Sequence, residues 1–215
     1  MSTIIESKND TQYVNIDDFE FKNVIIDPID QTNKYRYDRT FKYIHVNRDG
    51  IFRVSTDSKG NKRWYLNDKL HNEDGPAVIH TNGDRFWYFH GIIHKANGYP
   101  AIERADGSLE WYENGICHRK GGPAVIRANG DEFWYFHGKL HREDGGPAIK
   151  RDGDEFWYFH GELHREDGPA IKRADGSLEW RINGKLHRED GPAIECVNGD
   201  KFWYINGKVL MTNVV

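Results

Sequence analysis

The chain has 215 residues, 37% of them hydrophobic and 13% aromatic, and a mean hydropathy of −0.83. Few aliphatic side chains beside many aromatic rings predict a thin fold whose buried surface comes mainly from Trp, Tyr and Phe. The net charge of −4, with acidic and basic residues mixed, argues against a nucleic-acid partner, and the lack of about 18 consecutive apolar residues argues against a transmembrane helix.

Residues 1–56 contain no copy of the pattern that fills the rest of the chain, and we assign them to an N-terminal cap. The first dozen residues are expected to be disordered. Two segments, 41–46 and 51–56, are predicted to form a strand pair joined at Asp49-Gly50 that extends the sheet. The N-terminus lacks the basic-then-apolar pattern of a secretion signal, which favours a cytoplasmic location, in the host cytoplasm or the virion if the source is viral.

Residues 57–215 repeat with a period of about 23 residues. Three kinds of residue recur at this spacing. They are the tryptophans Trp64, Trp87, Trp111, Trp134, Trp157, Trp180 and Trp203, the Pro-Ala pairs beginning at Pro76, Pro100, Pro123, Pro147, Pro169 and Pro192, and a Gly four residues after each Trp from Trp87 onward. The pattern predicts an all-β fold, an array of antiparallel β-hairpin repeats that forms an elongated single-layer sheet with the tryptophans as its repeated core.

Each repeat is predicted to form a β-hairpin around an Asp-Gly or Asn-Gly pair. In "PAIKRADGSLEW" the pair Asp175-Gly176 is typical of a two-residue type I′ turn. Such a turn places Ile171 opposite Trp180, and the alternation of a strand then puts both on one face. One repeat, "HREDGGPAIKRDGDEFW", is a residue shorter before its turn, and a three-residue loop, Asp152-Gly153-Asp154, with a bulge and a left-handed Gly153 is predicted there.

The motif "NGxxxWYxNGxxHRxDGPA" resembles the MORN repeat, and more closely its degenerate variant with "HREDGPA" segments, as in proteins of large DNA viruses and phages. The resemblance covers about 70% of the chain. It implies an antiparallel sheet that contacts proteins or membrane lipids, and it implies no catalytic activity. The segment "NGDEFWYFHGK" is also similar, more weakly, to the choline-binding repeats of surface proteins.

Six histidines begin the recurring "HREDGPA"-type segments: His71, His94, His118, His141, His164 and His187. A metal or acid–base site with the nearby Asp residues is one interpretation. The other is an architectural joint in which His, Asp and Gly-Pro shape a turn. We favour the joint, because a catalytic or metal site needs groups that converge on one place. No catalytic residues, no metal site and no cofactor are therefore predicted, and Cys117 and Cys196 are expected to be free thiols.

The aromatic residues beside the tryptophans are the candidate binding surface. Its predicted members are Tyr88, Tyr112, Phe133, Tyr135, Phe136, Phe156, Tyr158, Phe159, Arg181 and Tyr204. Simple packing of the sheet's second face is the alternative interpretation of the Tyr column. The apolar stretch from Glu132 to Phe159 is the place where a partner is expected first.

The sequence as a whole favours a non-enzymatic scaffold for protein–protein interaction, and the resemblance implies a viral or phage setting. A binder of a small ligand or lipid headgroup in a Tyr-lined groove is the alternative, although the charge does not support membrane lipid. The C-terminal residues Val209, Leu210 and Met211 are apolar, and they are expected either to cover the last hairpin or to mediate self-association through an exposed sheet edge.

Overall fold

The computed structural model describes Val14–Asn15, Phe41–Asn47 and residues 50–213, and within them it contains strands and turns but no helix. No described segment is therefore a long apolar helix of the kind that crosses a membrane. The chain divides into two compact units, Met1–Ile92 and Ile93–Val215. The strand pairs within each unit are antiparallel, which confirms the prediction of an all-β array of antiparallel hairpins.

The first unit begins with a meander of paired strands. Its strands are β1 (Val14–Asn15), β2 (Phe41–Asn47), β3 (Gly50–Thr56), β4 (Lys62–Leu66), β5 (Lys69–Leu70), β6 (Val78–Ile79), β7 (Arg85–Phe86) and β8 (Tyr88–Phe89), and β9 (Ile92–Ile93) lies at the boundary. Strands β2 and β3 pair up to Asn47 and Gly50, and β3 pairs along its length with β4. The predicted N-terminal hairpin is thus confirmed and extends the sheet. The expected disorder of the first dozen residues falls outside the described residues.

The second unit contains a continuous antiparallel ladder flanked by short hairpins. Its strands are β10 (Ile102–Glu103), β11 (Leu109–Glu110), β12 (Tyr112–Glu113), β13 (Ile116–Cys117), β14 (Val125–Ile126), β15 (Glu132–Phe133), β16 (Tyr135–Phe136), β17 (Lys139–Leu140), β18 (Ile149–Arg151), β19 (Asp154–Phe156), β20 (Tyr158–Phe159), β21 (Glu162–Leu163), β22 (Ile171–Lys172), β23 (Leu178–Glu179), β24 (Arg181–Ile182), β25 (Lys185–Leu186), β26 (Ile194–Glu195), β27 (Lys201–Ile205) and β28 (Lys208–Asn213). The ladder runs β10–β11–β14–β15–β18–β19–β22–β23–β26–β27–β28. The short hairpins are β12–β13, β16–β17, β20–β21 and β24–β25.

Each complete repeat therefore contains two hairpins instead of the single hairpin predicted from the sequence. In the repeat of Trp180, the ladder hairpin is β22–β23 and the short hairpin is β24–β25. Trp180 lies between them, outside both strands, and its backbone N–H donates to the carbonyl of Ala193 at 2.8 Å. The segment from each recurring His to the following Ala, such as His187 to Ala193, connects one repeat to the next and is called the joint below.

The predicted two-residue turn at Asp175-Gly176 is wrong. Ile171 lies opposite Glu179, one residue before Trp180, and the loop contains Ala174, Asp175 and Gly176. Only Gly176 has a positive φ, of 94°, which is the pattern of a three-residue loop ending in a glycine bulge. The type I′ turns instead belong to the short hairpins, where both turn residues have positive φ, as in Asn183 (49°) and Gly184 (73°).

The shorter repeat has the opposite loop from the one predicted. Asp152 (φ 52°) and Gly153 (φ 85°) form a two-residue type I′ turn, with Arg151 paired to Asp154 and Ile149 paired to Phe156. The missing residue thus shortens the loop from three residues to two and leaves the register of the ladder unchanged. Gly153 is left-handed as predicted, but Asp154 belongs to the strand and not to the loop.

The core of the array consists of alanine and branched residues in alternating columns. The alanines of the six Pro-Ala pairs have no exposed surface: Ala77, Ala101, Ala124, Ala148, Ala170 and Ala193. The next residue in the chain is almost as well buried at Val78, Ile102, Val125 and Ile171, with 4–6% exposure. Of the tryptophans, Trp111 and Trp157 are buried and the other five are half-buried. The Trp column is therefore one part of the core rather than the partner of the Ile/Val column.

The C-terminal strand β28 is the last strand of the ladder. It pairs with β27 from Lys201↔Asn213 to Ile205↔Lys208, so the tail as far as Asn213 is the second strand of the last hairpin. The side chains of Val209, Leu210 and Met211 nevertheless remain more than half exposed. Self-association through this edge stays a prediction.

Candidate functional site

The arginine of the "HREDGPA" joint lies flat against a tryptophan. The guanidinium carbon of Arg188 is 3.8 Å from the centre of the Trp180 ring, and three more joints repeat this geometry. The equivalent pairs are Arg119–Trp111 at 3.8 Å, Arg142–Trp134 at 3.9 Å and Arg165–Trp157 at 4.1 Å. A cation over an aromatic face is attracted by the ring quadrupole, and Arg also stacks through its planar group. The joint arginine is therefore part of the packing of each repeat.

Two nitrogens of this arginine bind groups in the joint and on the strand that follows it. In Arg188, Nε donates to Asp190 at 2.9 Å, and one terminal nitrogen donates to the carbonyl of Pro192 at 3.2 Å and to Glu195 at 2.8 Å. The glycine that precedes the proline leaves room for the guanidinium, because a Cβ on Gly191 would lie 2.9 Å from the guanidinium carbon of Arg188. Arg, Asp, Gly and Pro of the motif thus form one structural unit.

The joint histidine holds the turn of the following repeat. In His187, Nδ1 accepts a hydrogen bond from the backbone N–H of Asn206 at 3.2 Å. Four other joints make the same bond: His71 with His90, His94 with Asn114, His118 with His137, and His164 with Asn183, all at 3.2–3.3 Å. These donors have left-handed φ in type I′ turns. The hydrogen bonds support the interpretation of the motif as an architectural joint.

The loops that connect the two strands of each ladder hairpin are also linked from repeat to repeat by hydrogen bonds. The sequence did not predict this feature. The Ser108 hydroxyl accepts from the N–H of Ala128 at 2.9 Å, and the Ser177 hydroxyl accepts from that of Val197 at 3.1 Å. Asp154 does the same for Ala174 at 2.8 Å. The recurrence of Ser, Asp or Asn directly after the loop glycine is the sequence signal for this bond.

Replacing Arg188 with lysine is expected to lower the free energy of unfolding by about 1–2 kcal/mol, because an ammonium group neither stacks on Trp180 nor keeps all of the bonds to Asp190, Pro192 and Glu195. Urea denaturation followed by circular dichroism measures this change. Arg127→Lys is the matched control, since the side chain of Arg127 is half exposed and its guanidinium lies 3.8 Å from Glu110. Equal losses in the two variants would contradict the stacking role.

The predicted tyrosine column lies on the inner face of the short hairpins. Tyr112 pairs with Cys117, Tyr135 with Leu140, and Tyr158 with Leu163. All five tyrosines, Tyr88, Tyr112, Tyr135, Tyr158 and Tyr204, are half-buried. The Tyr112 hydroxyl donates to Glu110 at 3.2 Å, and burial together with the Glu110 carboxylate raises the pKa of Tyr112 to about 12. The Tyr112 hydroxyl thus lies in a partly buried polar region.

Arg181 replaces the tyrosine in one repeat, and its charge is compensated. Its Nε and one terminal nitrogen donate to the same Glu179 oxygen at 3.0 and 2.8 Å, and another nitrogen donates to the carbonyl of Gly184 at 3.0 Å. The positive charge of Arg181 is therefore paired with the Glu179 carboxylate. Cys117, on the same inner face, has its pKa raised to about 12 by burial and, secondarily, by Glu110. Cys117 and Cys196 are both free thiols.

The four predicted phenylalanines lie on two different surfaces. Phe133 pairs with Val125 and Ile149, and Phe156 pairs with Ile149 and Ile171, so both belong to the ladder core. Phe136 and Phe159 alternate with the inward tyrosines on the short hairpins and therefore face outward. Phe159 is 52% exposed. Ile116, which pairs with Glu113 on the outward side of the hairpin β12–β13, is 47% exposed, and we call Ile116, Phe136 and Phe159 the outer aromatic face.

Histidines separate the phenylalanines of the outer aromatic face. The His141 ring lies 5.9 Å from Phe136 and 5.1 Å from Phe159, both in edge contacts. His118 contacts Phe136 at 5.2 Å, and His164 contacts Phe159 at 5.6 Å. Imidazole and phenyl rings thus alternate along this surface. Within the residues that the structure describes, no three His, Cys, Asp or Glu side chains are grouped to hold a metal ion.

A scan against protein-family models found no match for this chain, and a search of curated proteins found none either. The site is accordingly interpreted from its own geometry.

Proposed function

We propose that the protein is a non-enzymatic repeat scaffold that binds a protein partner through the outer aromatic face. The observation that carries the proposal is the 52% exposure of Phe159, within a row of aromatic side chains, in an array whose recurring His and Arg groups are engaged internally. Exposed apolar rows of this kind are typical of interaction surfaces. The two-hairpin repeat of about 23 residues also supports placing the chain among MORN-like repeat proteins, in the viral or phage setting that the motif suggests.

Replacing Phe136 and Phe159 together with alanine is expected to abolish co-purification of the partner from the protein's own source, with the fold retained. Native mass spectrometry of the purified complex identifies the partner and its stoichiometry. Val197→Ala is the matched control, because Val197 is 67% exposed but lies in a loop at the other edge of the ladder. Retention of the partner by the double variant, or its loss in the control, would contradict the proposal.

The same experiment separates the scaffold from a ligand binder. A complex with a second protein supports the scaffold. A single chain that carries a few hundred daltons of additional mass would instead support the alternative of a small ligand held by the Tyr column.

A further inference from the structure

Three joint histidines stack on a second histidine that occupies the type I′ turn of the next repeat. The ring centres are 4.6 Å apart in His71–His90, 4.7 Å in His118–His137 and 4.5 Å in His141–His160. The last two pairs are nearly parallel, with interplanar angles of 5° and 4°. Uncharged imidazole rings stack favourably at this separation, whereas two imidazolium ions would repel each other across it.

At two of these pairs, His71–His90 and His118–His137, a hydrogen bond also depends on the charge. Nδ1 of His118 accepts from the backbone N–H of His137, and Nδ1 of His71 accepts from that of His90. A nitrogen that accepts a hydrogen bond carries no proton, so the joint ring holds its proton on Nε2. Protonation makes Nδ1 a donor that faces another donor. One proton therefore removes the hydrogen bond that holds the next turn.

The surroundings of His141 offer little to stabilise a positive charge. The phenyl edges of Phe136 and Phe159 pack against the ring, His160 covers one face, and among the described residues Glu143 is the acid whose charge acts on it. Nδ1 of His141 is buried and has no hydrogen-bond partner among the described residues. Burial, followed by the charge of His160, lowers the pKa of His141, and Glu143 offsets this only in part.

His71 repeats this environment independently in the first unit. Its side chain has no exposed surface, it contacts the rings of Phe52, Phe89 and His90, and Glu73 lies 3.5 Å from Nε2. Burial, followed by the charge of His90, lowers the pKa of His71, and Glu73 raises it in part.

We infer that these stacked histidine pairs form an acid-sensitive latch between successive repeats: the uncharged rings hold the next turn, and charging of the rings on acidification releases it. The direction follows from proton linkage. Because the folded-state pKa values of His71 and His141 lie below the ordinary value of 6.5, the unfolded chain takes up protons first as the pH falls. Stability is complete above pH 6.5, decreases as the pH falls towards the folded-state values, and becomes constant below them.

The chain contains its own uncharged counterpart of the latch. Asn114, Asn183 and Asn206 occupy the turn position that the second histidine occupies elsewhere, with the same left-handed φ of 49–50°. Their backbone N–H groups donate to the joint histidines His94, His164 and His187. An Asn in this position keeps the turn and the hydrogen bond but cannot become charged. A His-to-Asn substitution removes one ring of the stack at every pH, so its effect on the pH dependence of stability reports the loss of the second charge.

The test compares the natural chain with a variant that carries His90→Asn, His137→Asn and His160→Asn. Urea unfolding is measured at several values between pH 7.5 and 5.0, a range in which Asp144, Asp167 and Asp190 stay ionised because their Arg partners lower their pKa values. We expect the folded-to-unfolded ratio of the natural chain to fall roughly tenfold more than that of the variant. Equal pH dependence of the two proteins would overturn the inference.

A second variant keeps the test decisive even if the triple variant does not fold. Asn114→His creates a further stacked pair with His94 and is expected to increase the loss of stability on acidification, with little change at pH 7.5. Unchanged acid sensitivity in this variant would also overturn the latch. Both measurements use the isolated chain, so their outcome does not depend on the proposed protein partner.

Discussion

Replacing Trp157 with alanine is expected to lower the free energy of unfolding by about 3–5 kcal/mol, the usual cost of truncating a buried large aromatic side chain. The ring is 7% exposed, supports the Arg165 guanidinium at 4.1 Å, and donates from Nε1 to the carbonyl of Gly145 at 3.1 Å. Its removal leaves a cavity, exposes one face of the arginine and leaves a carbonyl without its donor. Urea denaturation followed by circular dichroism measures the loss.

A phenylalanine at position 157 distinguishes the contribution of the aromatic ring to stability from that of the Nε1 hydrogen bond. Trp157→Phe keeps an aromatic face for Arg165 but loses the bond to Gly145. Trp134→Phe is the matched control, because Nε1 of Trp134 is buried with no partner in the described part of the chain. The substitution at Trp134 should therefore cost less than that at Trp157, by about 1 kcal/mol. An equal cost at both sites would contradict the role of the Nε1 bond.

The repeat period and the hairpin class could be predicted because the same contacts recur every 23 residues. Trp111, Trp134, Trp157 and Trp180 each carry an arginine from the following joint, so each repeat imposes the same spacing on the chain. A residue that packs in the same way in every repeat leaves a visible column in the sequence. The architectural interpretation of "HREDGPA" followed from this recurrence alone.

The register could not be predicted, because an Asx-Gly pair fits two loops. Asp152-Gly153 and Asp175-Gly176 are both Asp-Gly pairs, yet Asp152 has a positive φ of 52° and Asp175 does not. The type of loop depends on how many residues lie between the last paired positions of the two strands. The tertiary structure sets this number. The assumed two-residue turn placed Ile171 opposite Trp180, whereas the three-residue loop places it opposite Glu179.

The candidate site was predicted only in part for the same reason. Phe133 and Phe136 are three residues apart and look equivalent in the sequence. The interruption of the strand at Trp134 sends Phe133 into the ladder and Phe136 to the outside. The stacking of His141 on His160 is likewise invisible without the register, because these rings belong to two successive repeats.

Replacing Ala124 with leucine is expected to lower the free energy of unfolding by about 3 kcal/mol, because the side chain has no exposed surface and the added atoms must displace packed neighbours. The backbone fixes this position from both sides: the Ala124 N–H donates to Phe133 at 2.9 Å, and its carbonyl accepts from Trp111 at 2.8 Å. The strand therefore cannot move away without loss of bonds to both neighbours. Urea denaturation measures the change.

Ala128→Leu provides the control, since Ala128 lies only four residues further on, in an exposed loop, and the same substitution there should change stability by less than about 0.5 kcal/mol. The comparison tests why every repeat has alanine after proline. If close approach of successive strands requires this small residue, Ala124→Leu lowers the free energy of unfolding much more than Ala128→Leu does. Ala148→Leu should then cost about as much as Ala124→Leu, because Ala148 is equally buried. Similar small effects at Ala124 and Ala128 would show that the array expands to accept a larger side chain, and that the alanine column does not set the spacing of the repeats.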